Sequence, residues 1–343
     1  MIRFSKLFFC LTIVLILLWQ LPWCYAFFAA KPSKIPFTLY SGISGDFISM
    51  GQVEGKGMQR RNQSGQVYTQ EQTDSLLPFF YVRQLVSDER FPDTIMGVAV
   101  TPRKVQQTNF SFRVNASDIN AAKVPLYPLM ESLSGRVDLI MPEDVFRITA
   151  NGIEFVRMKS NSVDEGKSRQ FTDALIKKDF RFPARRLAGN PTARKDYDEG
   201  YLILDDEGKL FHLKQVKSRP YVRAIALPER LNINYLFITE FSDRKTLGFL
   251  TDTQNCFYVL NNKSYEVIKT GVASYNPETD GITIFGNLID WTVCVRTDEA
   301  ATYYALAAND YSLINSFSLK EEASTIRGLH FTSSDDKFVK PRF

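Results

Sequence analysis

The sequence predicts a mainly β protein with a few helices: propeller-like repeated antiparallel sheets, preceded by one N-terminal transmembrane helix. Three observations carry this expectation. An uncharged apolar run fills residues 7–30. A clean hairpin signal lies at 145–157, where Asn151-Gly152 separates two alternating strands. From residue 200 onward, a unit of apolar strand, polar turn and aromatic-bearing strand recurs three times.

The first element is the apolar run. Arg3 and Lys6 precede it, Gln20 and Pro22 alone interrupt it, and Lys31 is the next charge. At about 1.5 Å per residue, roughly 20 helical residues cross a hydrocarbon core, so the run is long enough. As a retained signal anchor it keeps Arg3 and Lys6 in the cytoplasm and sends the remainder outside. Trp19, Trp23 and Tyr25 then fall at the outer membrane interface, where amphipathic rings are favoured. The alternative is a signal peptide cut after Cys24-Tyr25-Ala26, which yields a secreted protein. Apolar residues continue past that cut, which favours the single-pass anchor with the C-terminal domain outside the cytoplasm.

The organisation expected is therefore an anchor at 1–30, a tether at 31–36 (KPSKIP), a mixed α/β part at 37–140 and a β-rich repeat part at 141–343. The last two form one continuous domain. Phe37–Tyr40 and Asp46–Met50 have strand character, and residues 58–69 form a hairpin turning at Asn62–Gly65. Thr69 and Gln72 make a capping box for a helix running to Val86, with Pro78 near its start or at a kink. Strands follow near Val98 and at Phe110–Val114, then a short helix at Tyr127–Leu133. Phe171–Lys178 is expected to be helical, and 181–199 a loop.

The repeats begin at Gly200, Gly248 and Trp291, a spacing that fits a four-stranded propeller blade. Weaker strands follow them, at Tyr221–Ala226, Ile282–Gly286 and Leu313–Leu319. A propeller must hide its first and last edges, so a closing strand is expected from the N-terminal part.

Composition narrows the function. Hydrophobic residues make up 44% and aromatic residues 13%, enough for a substantial core. The 42 basic and 38 acidic residues are interspersed, with no basic block among aromatics, which argues against nucleic acid. Outside the apolar run the cysteines are Cys256 and Cys294, which an exported domain could pair or bury as free thiols. No CxxC, HExxH, GxSxG, GxxxxGK[ST] or helix-opening GxGxxG is present, so no cofactor, metal or catalytic residue is assigned. His212 and His330 have the setting of packed strand residues. Asp205-Asp206-Glu207-Gly208-Lys209 looks like a calcium loop, yet it lacks the alternating oxygen ligands and distal glutamate. Carboxylates for a glycosidase pair are available at Glu131, Asp138, Glu143, Asp144, Glu240, Asp252 and Asp290, without any sign of which approach one another. The basic run Arg181, Arg185, Arg186, Arg194 and Lys195 is expected to be a solvated face, with docking of an anionic group as the alternative.

The stretches YTQEQTDSLLPFFYVRQLVSDERFPDTIMGVAVTP (68–102), LYPLMESLSGRVDLIMPEDVFRI (126–148) and GNPTARKDYDEGYLILDDEGKLFHLK (189–214) resemble a bacterial domain-of-unknown-function family. The similarity covers about residues 36–320. The resemblance implies an N-terminal membrane segment and genes often placed beside ABC transporter components. It carries no catalytic residues. The expected function is thus a membrane-anchored extracytoplasmic binding or accessory protein, with the bilayer and ABC transporter subunits as partners. The alternative is an exported carboxylate-dependent enzyme acting on a glycan.

Overall fold

The computed structural model describes residues 2–29, 35–53, 55, 57–133, 135, 138–297, 299–320, 330–331 and 341–342. Helix α1 (Ile2–Ala29) contains the window Phe4–Leu21, whose mean hydropathy is 2.1 and none of which is buried. By length and composition this helix suffices to cross a membrane. Trp19 is exposed on it. The side chains of Trp23 and Tyr25 and tether residues 31–34 lie outside the described residues.

The first sheet is a meander of β1 (Phe37–Ser41), β2 (Asp46–Val53) and β3 (Gly57–Arg61). The turn at Asn62–Gly65 forms as expected, with Gly65 at φ +85° and its N–H donating to the Asn62 carbonyl at 3.1 Å. Helix α2 (Gln70–Leu76) opens on the capping box: Thr69 Oγ1 accepts from the Gln72 N–H at 3.2 Å, and Gln72 Oε1 from the Thr69 N–H at 2.9 Å. The single helix expected to reach Val86 is two. α2 stops before Pro78, which can neither donate nor accommodate the preceding turn, and α3 (Val82–Ser87) restarts beyond it. A two-stranded ribbon, β4 (Thr94–Ile95) and β5 (Val98–Ala99), turns at Met96-Gly97. Then come α4 (Pro102–Thr108), β6 (Phe110–Val114) and α5 (Ala116–Asn120).

The helix expected at Tyr127–Leu133 is absent. The segment is extended instead, with β-bridges from Tyr127 to Phe146, Glu131 to Gln215 and Leu133 to Tyr197. Pro128 disfavours the helical conformation at Tyr127, and Leu129 and Met130 gain more by burial between neighbouring strands. The second sheet holds β7 (Asp144–Ile148), β8 (Ile153–Arg157) and β9 (Ser162–Val163). Its hairpin closes through a 2.8 Å bond from the Thr149 N–H to the Gly152 carbonyl. Positive φ is not what requires glycine here: a Cβ on Gly152 would lie 2.7 Å from Thr172 Oγ1. α6 (Glu165–Ile176) starts earlier than the sequence suggests, because Asp164 caps it by accepting from the Lys167 N–H at 3.0 Å.

Three up-and-down sheets follow. The third comprises β10 (Arg186–Gly189), β11 (Tyr201–Leu204), β12 (Leu210–Val216) and β13 (Arg219–Ile225). The fourth comprises β14 (Ile233–Ile238), β15 (Thr246–Asp252), β16 (Phe257–Asn261) and β17 (Val267–Lys269). The fifth comprises β18 (Gly281–Gly286), β19 (Asp290–Arg296), β20 (Ala300–Ala307) and β21 (Leu313–Lys320). The recurring units of the sequence are the second and third strands of each sheet. Two assignments change. The 181–199 loop contains β10, and Ile282–Gly286 opens the fifth sheet instead of ending the fourth. β6 pairs with β18 in register Phe110↔Gly286 to Val114↔Ile282, so a strand from the N-terminal part covers the open edge.

Separate apolar clusters fill the junctions between sheets. Phe146, Phe155, Tyr201 and Phe211 join the second and third, while Leu202, Leu204, Leu236 and Leu250 join the third and fourth. Phe249, Phe257, Trp291 and Val293 join the fourth and fifth, and Tyr40, Phe47, Tyr303 and Ala305 join the fifth to the first. The result is a mainly β, propeller-like array behind one N-terminal apolar helix.

Candidate functional site

Where the first sheet meets the fifth, side-chain bonds to backbone hold several segments around a space. Tyr40 N–H donates to Thr292 Oγ1 at 2.9 Å, fixing β1 against β19. Ser41 Oγ donates to the Leu76 carbonyl at 2.6 Å, and Asn109 Nδ2 to the Phe79 carbonyl at 2.6 Å. These bonds satisfy carbonyls that the break at Pro78 leaves without helical partners. The half-open cavity that they border measures about 300 Å3. Its walls are mostly apolar, among them Leu77, Phe80, Ile95, Phe110 and Phe285.

Among the described residues one charged group reaches this space. Asp290 begins β19 after the tight turn Asn287–Asp290, in which Asn287 Oδ1 accepts from the Ile289 and Asp290 N–H groups at 2.8 and 3.0 Å. Asn287 Nδ2 donates to Asp290 Oδ1 at 2.9 Å. Oδ2 has no hydrogen-bond donor among the described residues, although Asp290 is only 3% exposed. Burial pushes its carboxyl up to about 6, against the opposing pull of the Asn287 bond. Tyr40, in the same wall, is raised first by burial and then by the Asp290 charge. A mostly apolar cavity with one poorly solvated carboxylate is the usual form of a small-molecule site.

A second cluster of ionisable groups lies between the third and fourth sheets. Lys195 Nζ donates to Asp198 Oδ1 at 2.5 Å and to both oxygens of Glu240 at 2.6 and 2.7 Å. Asp198 and Glu240 side chains are each 3% exposed. Glu240 also accepts from the Glu199 N–H at 2.9 Å, and burial raises its carboxyl above the ordinary range. Lys214 Nζ pairs with Glu199 Oε2 at 2.8 Å. His212 is fully buried behind them: Nε2 lies 2.6 Å from the Glu199 carbonyl and Nδ1 2.9 Å from Tyr265 Oη. Burial lowers its imidazole to about 4, so it is neutral, with Nε2 as donor and Nδ1 as acceptor. Every polar group here answers another. The cluster is a strut between sheets, because Lys195 fills the space a reacting atom would need.

The remaining sequence candidates are scattered. Glu131 accepts from Gln215 Nε2 and the Ser218 N–H, Asp144 pairs with Lys167 at 2.7 Å, and Asp138 and Glu143 are exposed. Asp205 organises the calcium-like loop alone: Oδ1 accepts from the Glu207 and Lys209 N–H groups at 3.0 and 2.8 Å, Oδ2 from that of Arg181 at 3.1 Å. Asp252 does the same in the next sheet, accepting from the Gln254 and Cys256 N–H groups at 2.9 Å and from Tyr258 Oη at 2.8 Å. Among the described residues no cluster of His, Cys, Asp and Glu is arranged to hold a metal ion.

The basic run does not converge either. Arg181 pairs with Asp179, Arg186 covers the Tyr235 ring and Lys195 is half-buried among carboxylates. Cys256 and Cys294 are free thiols, the second of the two arrangements that the sequence left open. Cys256 packs between the third and fourth sheets and Cys294 against the first, in different apolar clusters. His330 lies in a two-residue strand whose side chains are outside the described residues.

Residues 37–306 match the family described as Domain of unknown function (DUF4857). The chain belongs to this family. Among curated proteins nothing matches it. Of solved structures, the complex of the fission yeast SREBP-SCAP binding domains is similar at 10% identity, with 91% of each chain covered and a TM-score of 0.35. The WD40 domain of SCAP from fission yeast is similar at 10% identity over 90% of this chain and 78% of that one, TM-score 0.32. The Dos1 propeller is similar at 12% identity over 60% of this chain and 50% of that one, TM-score 0.29. The chain spans about half the length of the Dos1 propeller and of dihydro-heme d1 dehydrogenase NirN. At such scores these likenesses say nothing of ligand or activity.

Proposed function

We propose that the chain is a membrane-anchored, extracytoplasmic binding or accessory protein that works beside a membrane transporter complex. The observation that carries the binding role is the Asp290 cavity, an apolar space with a single carboxylate whose outer oxygen awaits a donor. Anchoring is supported by α1, whose apolar window is wholly unburied and preceded by Arg3 and Lys6. The transporter link rests on the family resemblance, which implies neighbouring ABC transporter genes. An enzyme acting on a glycan has weaker support. The buried pair Asp198 and Glu240 is bridged by the Lys195 ammonium and has no room between its members for a sugar or a water.

Fractionation and mild-detergent purification of the full chain test this. The expected result is retention in the membrane pellet, digestion of the folded part by protease added from outside, and a transporter subunit in stoichiometric amount. A solitary monomer in the soluble fraction would overturn the proposal.

A further inference from the structure

We infer that the cavity between the first and fifth sheets binds a small organic amine, its ammonium held by Asp290 and its apolar body by Leu77, Phe80, Ile95 and Phe285. This rests on the binding role proposed above and names the ligand class.

Three features point to a cation. The first is the unused oxygen: Asn287 occupies Asp290 Oδ1, and Oδ2 has no hydrogen bond among the described residues. The second is charge. Among the described residues no lysine, arginine or histidine lines the cavity, so the carboxylate has no counter-ion from them in its walls. A carboxylate shielded by apolar walls, with one neutral donor and no neighbouring cation, is costly, and a charged donor offsets that cost far better than a neutral one. A hydroxyl could reach the same oxygen but would leave the charge uncompensated.

The third feature is Met96. It sits at φ +49° in the β4–β5 turn, a left-handed conformation rare for a non-glycine residue. Its Sδ lies 2.5 Å from where a Cβ on Gly42 would be, and Asp290 Oδ2 lies 2.9 Å from the same point. Gly42 thus permits β1, the carboxylate and the thioether to converge at one end of the cavity. The Met96 side chain is 56% exposed, so an apolar, polarisable cover stands between this end and solvent. The cavity of about 300 Å3 is at the small end for ligand sites, which suits an alkyl or aryl amine and excludes a peptide or a glycan.

The experiment is calorimetric titration of the full chain in detergent at pH 7.5 with 2-phenylethylamine and hexylamine, and with their neutral counterparts 2-phenylethanol and hexanol. The amines are expected to bind saturably and more tightly than the alcohols. Asp290→Asn should weaken the amines at least about tenfold and leave the alcohols unchanged, since one charge-assisted bond is lost. Asparagine keeps an oxygen for the Asn287 bond, and a melting midpoint no lower than that of the parent protein confirms the fold. Ser111→Phe, which fills the cavity wall and leaves Asp290 in place, should abolish binding of both classes. Alcohols binding as tightly as amines, or an Asn variant indifferent to charge, would overturn the amine and spare the cavity as a ligand site. Absence of binding by all four compounds would overturn both.

Discussion

Lys195 Nζ stands 2.6 Å from Glu240 Oε1, an ion pair buried between the third and fourth sheets. Lys195 lies in the connection from β10 to β11 and Glu240 in that from β14 to β15, so the pair fastens two sheets that also share an apolar cluster. Replacing Lys195 by methionine should cost about 3–5 kcal/mol at pH 7, because two carboxylates are left buried without their cation. The loss should shrink at pH 5, since burial already favours the protonated Glu240. Urea unfolding at both pH values checks this, and an equal loss at pH 5 would refute it.

His212 and Asp290 bias the pH dependence of stability in opposite directions. His212 is lowered from 6.5 to about 4 in the folded state. Its contribution is full above pH 6.5 and is lost as the pH falls toward 4, by up to ~3 kcal/mol. Asp290 is raised from 3.8 to about 6, so its contribution is full below 3.8 and is lost as the pH rises through 6, again by up to ~3 kcal/mol. Between about pH 4 and 6 the two offset each other. Asp290→Asn should therefore be the more stable protein at pH 7 by about 2–3 kcal/mol and lose stability on acidification to pH 4. His212→Gln should gain stability over the same acidification. Parallel slopes in the two variants would contradict the assignment.

The turn aspartates are expected to be worth more than their neighbours. Asp205→Ala strips acceptors from three backbone N–H groups, and Asp252→Ala from two and a buried phenol. Each should cost about 2–4 kcal/mol in chemical denaturation. Asp206→Ala, at an exposed site in the same loop, should change stability by less than about 0.5 kcal/mol. A similar effect at 205 and 206 would refute the distinction.

Much of the fold was legible because the informative residues act locally. The Thr69–Gln72 capping box, the Asn62–Gly65 turn and the β7–β8 hairpin are each specified within a few residues, and each forms. The repeats were visible at the strands buried on both faces, such as Thr246–Asp252, where apolar and small residues are dense. First strands escaped notice when half exposed: Arg186–Gly189 has little apolar character because its burial comes from the adjacent sheet. The site was partly legible. Asp290 stood in the carboxylate pool, flanked by Leu288, Ile289 and Trp291, a setting that hints at burial. Gly42, Met96 and Asn109 could not be joined to it, since only long-range packing brings them together. Lys195, in turn, looked like one more surface charge until Glu240 arrived from 45 residues away.

The pairing of β6 with β18 sets an order on biosynthesis. Phe110 packs on Trp291 and Phe241, and Phe112 on Phe237 and Phe249, all of them made long after residues 110–114. A chain emerging from its N-terminus carries β6 as an unpaired, aromatic-bearing edge until Gly281–Gly286 exists. The domain is sealed last at a place begun early. A polypeptide interrupted before residue 281 would present that edge to its neighbours, a ready seed for aggregation and a target for quality control.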